Sequence, residues 1–180
     1  RISAARRIAG SRQLEGEGYQ YLSNWYYPVI RELAFRSDFR DDPDWISSQI
    51  RPEITSEQAM EAIDCLTKMG MLIKDEKGKY SVEDVSITTP NQVAGLAVHQ
   101  YHRQMLTLAK ESLDRFSEEE RHLLGVTVCI QEDLIPQLKE ELNQMAARLL
   151  DICDSEARTG ECAVQLGLHL FPVSKTQERK

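Results

Sequence analysis

Two short apolar periodicities, separated by Arg51-Pro52-Glu53 and running directly into a pair of β-type stretches, constrain this chain more than any other feature. The first is Asp44-Trp45-Ile46-Ser47-Ser48-Gln49-Ile50. The second opens at Thr55-Ser56-Glu57-Gln58, where a threonine hydroxyl and a glutamine side chain three residues apart can satisfy the free N–H groups of a helix start. Met60, Ile63, Leu66 and Met69 follow at helical spacing, and Gly70 stands where a left-handed residue closes a helix. Met71-Leu72-Ile73-Lys74 and Lys79-Tyr80-Ser81-Val82 then flank the polar turn Asp75-Glu76-Lys77-Gly78, which spells a hairpin. Helix, turn, helix and hairpin in that order read as a winged helix.

Modules of that kind usually set the second helix in the DNA major groove. Here that helix carries Glu57, Glu61 and Asp64 against a single Lys68, so its solvent face repels phosphates and offers no arginine to a guanine edge. Nucleic-acid contact is therefore expected elsewhere. One set of candidates is Lys74, Lys77 and Lys79 of the wing, partly cancelled by Asp75 and Glu76. The other is a basic arm of Arg1, Arg6, Arg7 and Arg12, which gives residues 1–14 a charge of +4 while residues 15–90 and 91–180 carry −7 and −4. The arm opens in mid-pattern without a methionine, so the chain is expected to be a piece of a longer protein whose main DNA reader lies upstream.

The periodicities divide the chain into a basic arm and linker (1–20), a mainly helical winged-helix subdomain (21–89) and an α-β-α-β subdomain (90–180), an α+β fold. Leu22, Trp25, Tyr26, Val29, Ile30, Leu33 and Ala34 predict one helix over 21–36 that tolerates Pro28, and Val85 and Ile87 alternate in the connector after the wing. A helix is predicted over 93–116, a strand over Leu123–Ile130, a helix over 132–153 and a last strand over Cys162–Phe171. Two strands make a poor sheet alone. Either the connector supplies a third strand, or the sheet is completed across the interface of a homodimer.

With 41% apolar and 28% charged residues, and no apolar run near the roughly 18 residues that a membrane span needs, the composition points to a cytoplasmic globular protein with no membrane role. Cys65, Cys129, Cys153 and Cys162 have no metal-ligand spacing and read as buried free thiols. His99 and His102 share a helical face, with Glu120 and His122 as the next donors, but too few groups converge for a metal site. There is no nucleophile elbow, glycine-rich phosphate loop or catalytic carboxylate pair, so a non-enzymatic role without cofactor is expected. Tyr101-His102-Arg103-Gln104, with His99 one turn earlier, is the candidate site for a small anionic effector or a partner's carboxylate, because Arg103 and Gln104 offer paired donors beside a tyrosine ring.

Tyr21-Leu22-Ser23-Asn24-Trp25-Tyr26, Asp44-Trp45-Ile46, Leu66-Thr67-Lys68-Met69-Gly70-Met71-Leu72, His102-Arg103-Gln104-Met105-Leu106 and Leu170-Phe171-Pro172-Val173-Ser174-Lys175 occur in one order along the chain. In this they resemble the C-terminal domain of a large paralogous family of bacterial regulators. The resemblance implies an upstream Cro/repressor-type helix-turn-helix, and it supplies no catalytic residues. The resemblance leaves the ligand and target open; the residues are read as a non-catalytic regulatory module that mediates dimerisation, partner or effector binding. The alternative is a protein-interaction adaptor that uses the acidic winged helix and has no DNA role.

Overall fold

The computed structural model describes residues 12–13, 17–76, 78–82, 87–88, 91–156 and 160–175, with side chains described over 20–76, 78–82, 95–153 and 160–175. In chain order the elements are β1 (Arg12–Gln13), α1 (Glu17–Ser23), α2 (Tyr26–Leu33), α3 (Pro43–Gln49), α4 (Ser56–Lys68), β2 (Leu72–Lys74), β3 (Tyr80–Val82), β4 (Ile87–Thr88) and α5 (Asn91–Arg115). A 3-10 turn, Glu132–Leu134, then leads into α6 (Ile135–Glu156). The protein is a helix-rich α+β molecule with one small antiparallel ribbon.

Local chemistry sets the limits of α3 and α4. The Asp42 carboxylate accepts from the Asp44 and Trp45 N–H groups, and Pro43 fills the first turn of α3, where its missing N–H costs nothing. At α4 the expected capping box is formed: the Gln58 N–H donates to Thr55 Oγ1 at 3.2 Å and the Thr55 N–H to Gln58 Oε1 at 2.9 Å. Gly70, at φ 68°, ends the helix in a Schellman arrangement, with the Met71 N–H on the Leu66 carbonyl and the Gly70 N–H on the Thr67 carbonyl. That reversal delivers Met71 and Leu72 into the core and starts β2, which pairs antiparallel with β3 through Leu72–Val82, Ile73–Ser81 and Lys74–Tyr80. The hairpin turn is closed by Asp75, whose N–H donates to the Lys79 carbonyl and whose carboxylate accepts the Lys79 N–H.

These elements share one core. Tyr27, Ile30, Ile46, Ile50, Leu66, Met69, Met71 and Leu72 are its largest fully buried side chains, and Trp25, Phe39 and Trp45 pack at its margin. Phe39 meets Trp45 and Tyr80 edge-on at 5.8 and 5.9 Å, tying α3 to the hairpin. Helix α5 lies along α1 and, among its described side chains, buries Ala97 and Met105. Its far end meets the α3–α4 turn, where Arg51 stands 5.9 Å from the Phe116 ring and 3.5 Å from the Glu120 carboxylate.

The structure departs from the sequence-based expectations in three places. The single helix expected over 21–36 is two, α1 and α2, broken at Asn24–Trp25. The proline ring at position 28 clashes with the carbonyl of Asn24 in a continuous helix, and the break moves Pro28 into the first turn of α2, where it is harmless. Second, Leu123–Ile130 and Cys162–Phe171 are not strands: both are exposed and belong to no sheet, so the expected α-β-α-β unit is α-α within one chain. Alternation makes a strand only where a neighbour supplies the ladder, and among the described residues none does. Ile87–Thr88 of the connector instead pairs in parallel with Arg12–Gln13, while Val85 lies outside the described residues. Third, of the cysteines only Cys65 is buried. Cys129 and Cys162 are exposed because the stretches that carry them are unpaired, and Cys153 is exposed near the end of α6.

Candidate functional site

Helix α5 distributes its side chains by helical period. Ala97 and Met105 face α1, Tyr101 is half-buried beside them, and His99, His102 and Leu106 face outward. Gln100, Arg103, Gln104, Thr107 and Leu108 form a third face, and it overlooks a cleft of about 400 Å3 whose opposite wall is Trp25 and Pro52. The cleft therefore lies between the long helix and the packed first half, at the α1–α2 break and the α3–α4 turn.

Gln104 forms one edge of this cleft. Its Nε2 donates to the Ser23 carbonyl at 2.6 Å, and its Oε1 accepts the Trp25 N–H at 3.0 Å. Both backbone groups are freed by the α1–α2 break, and one glutamine amide satisfies both. Gln104 thus positions the cleft wall with both ends of its amide engaged. Arg103 differs. Its guanidinium is exposed and makes no hydrogen bond or ion pair among the described residues, leaving five donors available on a planar group that lines the same cleft as the Trp25 indole. Glu111, at the end of the cleft, is held by Arg115 one turn on at 3.0 Å, which tempers its repulsion of an anion.

Tyr101 points away from the cleft. Its hydroxyl donates to Gln165 Oε1 at 3.2 Å, anchoring the 162–171 stretch against α5, and burial raises the phenol above its usual pKa. The Tyr101 and His102 rings meet edge-on at 5.9 Å. The expected cluster is thus split across three faces: Arg103 and Gln104 share the cleft, Tyr101 faces the C-terminal stretch, and His99 and His102 face outward. No group of three or more potential metal ligands occurs among the described residues.

The basic candidates are dispersed as well. Arg1, Arg6, Arg7 and Lys77 lie outside the described residues, and for Arg12 only the backbone in β1 is described. Lys74 is engaged: it pairs with Asp41 and stands 5.3 Å from the Tyr80 ring, and the Asp41 hydrogen bond raises its pKa. Lys79 is exposed. On α4, Glu57, Met60, Glu61 and Asp64 are all exposed, so the outer face of this helix is acidic as expected. Backbone hydrogen bonding in the first turn and the Thr55 hydroxyl hold the Glu57 carboxyl below its usual pKa and keep it ionised.

The sequence reading did not find Trp25 and Pro52 as cleft walls or Gln104 as a clamp. The signal available was Pro28, because a proline there forces a break four residues earlier and leaves backbone groups in need of a partner.

By class, then, the molecule is a helical α+β domain with an open cleft between its long helix and its packed first half. A family model described as a domain of unknown function, DUF4423, matches residues 6–173, and the chain belongs to that family. No curated protein and no solved structure matches it. No helix among the described residues is long and apolar enough to cross a membrane.

Proposed function

We propose that this chain is a non-catalytic regulatory module of a bacterial transcriptional regulator, in which residues 21–89 act as a winged-helix-like unit and the second half mediates dimerisation and the binding of an effector or partner. The observation that carries the reading is the Arg103 cleft. A ligand gripped there touches α5 on one side and Trp25 and Pro52 of the packed first half on the other, so its occupancy bears on how the two halves are held. An exposed guanidinium that shares a cleft with an indole suits a planar anion, a carboxylate or a phosphate. DNA recognition falls mainly to an upstream domain.

The test is thermal melting of the wild type and Arg103→Gln with inorganic phosphate and a series of dicarboxylates. The expected result is a melting temperature unchanged by the substitution without ligand and a ligand-induced rise that only the wild type shows. A large drop in the variant alone makes Arg103 structural, and no rise with any anion removes the cleft from the proposal.

The acidic outer face of α4 favours a second reading, an adaptor that docks a basic protein partner with no DNA role. Gel shifts at low salt separate the two. Weak binding lost on deletion of residues 1–12 supports the regulator with an auxiliary basic arm. Nanomolar sequence-specific binding abolished by Glu57→Ala or Asp64→Ala overturns the view that α4 avoids DNA.

A further inference from the structure

Residues 122–130 and 162–174 contain no Asp, Glu, Lys or Arg, yet both run extended over the surface. Within 123–130 and 162–171, ten large apolar side chains are exposed, among them Leu124 at 82%, Val126 at 77%, Val164 at 72% and Phe171 at 70%. Neither stretch makes a backbone–backbone hydrogen bond among the described residues, so two rows of amide donors and acceptors stand open beside two rows of apolar side chains. A lone extended stretch of this kind is an unsatisfied sheet edge.

We propose that residues 123–130 and 162–171 are the strands of an intermolecular sheet, paired with the same two stretches of a second copy of this chain. The proposal rests on the dimerising part of the function proposed above and names its surface. Two observations select a second copy. The connector strand expected to complete a sheet within the chain, Ile87–Thr88, is already paired with Arg12–Gln13. The uncharged, alternating surface also matches a partner strand equally free of charge, and this chain carries two of them. The size fits too. At about 60–120 Å2 for each fully buried aliphatic side chain, the ten residues offer roughly 400–700 Å2. Backbone atoms add to this, toward the ~800 Å2 per partner of a stable interface. A two-fold axis closes the assembly at two copies.

Sedimentation equilibrium and segment-resolved amide exchange on the intact chain test this. The expected result is a dimer at on the order of tens of micromolar, with amides of 123–130 and 162–171 slowed on the order of tenfold or more as concentration rises through the dimerisation range. A dimer whose 123–130 and 162–171 amides exchange fast at every concentration overturns the strand pairing while leaving dimerisation through another surface. A strict monomer overturns both. A monomer with protected amides shows pairing within one chain and also overturns the proposal. A Val126→Asp/Val164→Asp double variant should sediment as a monomer with unchanged near-ultraviolet dichroism from Trp25 and Trp45, the chain's two tryptophans, both in the first half. If the double variant remains dimeric, the proposal fails.

Discussion

The two halves of this molecule bury apolar surface very differently. Residues 26–80 hold every large side chain that is fully enclosed, whereas from residue 91 onward only Ala97 and Met105 are buried among the described residues. Both halves have amphipathic elements, yet in α6 Leu138, Leu142 and Leu149 stay half-buried while Ile30, Ile46 and Leu66 vanish into a core. The difference is one of closure. In the first half three helices and a hairpin face one another, so each apolar face has a counterpart. In the second, α5 spends its buried side on α1, and among the described residues α6 and the two extended stretches bury no large apolar side chain completely. A periodic pattern therefore tells that a face is meant for burial, but not whether its counterpart lies in the same chain.

The sharpest way to break the comparison is to remove one leucine from each half. Leu66→Ala should cost about 2–5 kcal/mol, since Leu66 is 0% exposed and the packed helices around it can collapse only in part. The matching change at an exposed site, Leu124→Ala, should move the monomer's stability by less than about 0.5 kcal/mol. Urea melts followed by tryptophan fluorescence read both. Comparable losses from the two would show that the second half is closed after all.

The next largest effect is alkaline. Burial pushes the Tyr27 phenol up to about 12, despite the hydrogen bond from Gln20, and Tyr21 likewise to about 12. A raised folded-state pKa favours the protonated form, so this contribution is fully present below pH 10 and is lost as pH rises through 12. It amounts to on the order of 2 kcal/mol for Tyr27. Tyr26, Tyr80 and Tyr101 are raised by burial as well, so tyrosinate absorbance should rise late, with Tyr27 and Tyr21 the last to ionise and only on unfolding. Ionisation of all phenols near pH 10 in a folded protein would mean that the first-half core is open to water.

Gln104→Ala probes the joint between the halves. It leaves the Ser23 carbonyl and Trp25 N–H without their partner, at an expected cost of about 1–3 kcal/mol, and should raise amide exchange at Trp25 before any global unfolding. Protection at Trp25 unaffected by the substitution would place the joint elsewhere. Gly70→Ala should cost less than these core and seam changes, about 1 kcal/mol, because alanine must occupy the φ of 68° that ends α4. A loss confined to the first half, read by its tryptophans, would confirm how independently that half folds.

Much of the first half was legible because its signals are local. The Thr55–Gln58 capping box, the stop at Gly70 and the turn ending at Gly78 each involve residues a few positions apart, and all three formed as expected. The helix break at Asn24 was missed because apolar spacing outweighed Pro28 in the reading. In the second half Leu123–Ile130 and Cys162–Phe171 show strand alternation without strand pairing, a property of neighbours that no single stretch encodes. For the candidate site, Arg103 and Gln104 could be singled out by chemical type, but their division of labour depends on backbone groups about 80 residues away.

The break between α1 and α2 has a consequence beyond its own turn. An unbroken helix consumes every interior carbonyl and amide in its own ladder and shows its neighbours only side chains. By interrupting that ladder, Pro28 leaves the Ser23 oxygen and the Trp25 nitrogen with spare valences that face α5, and a single amide on α5 fits both. The seam between the halves is thus stitched with main-chain atoms, whose positions no side-chain substitution at 23 or 25 can erase. The two halves stay in register through the local grammar of one proline.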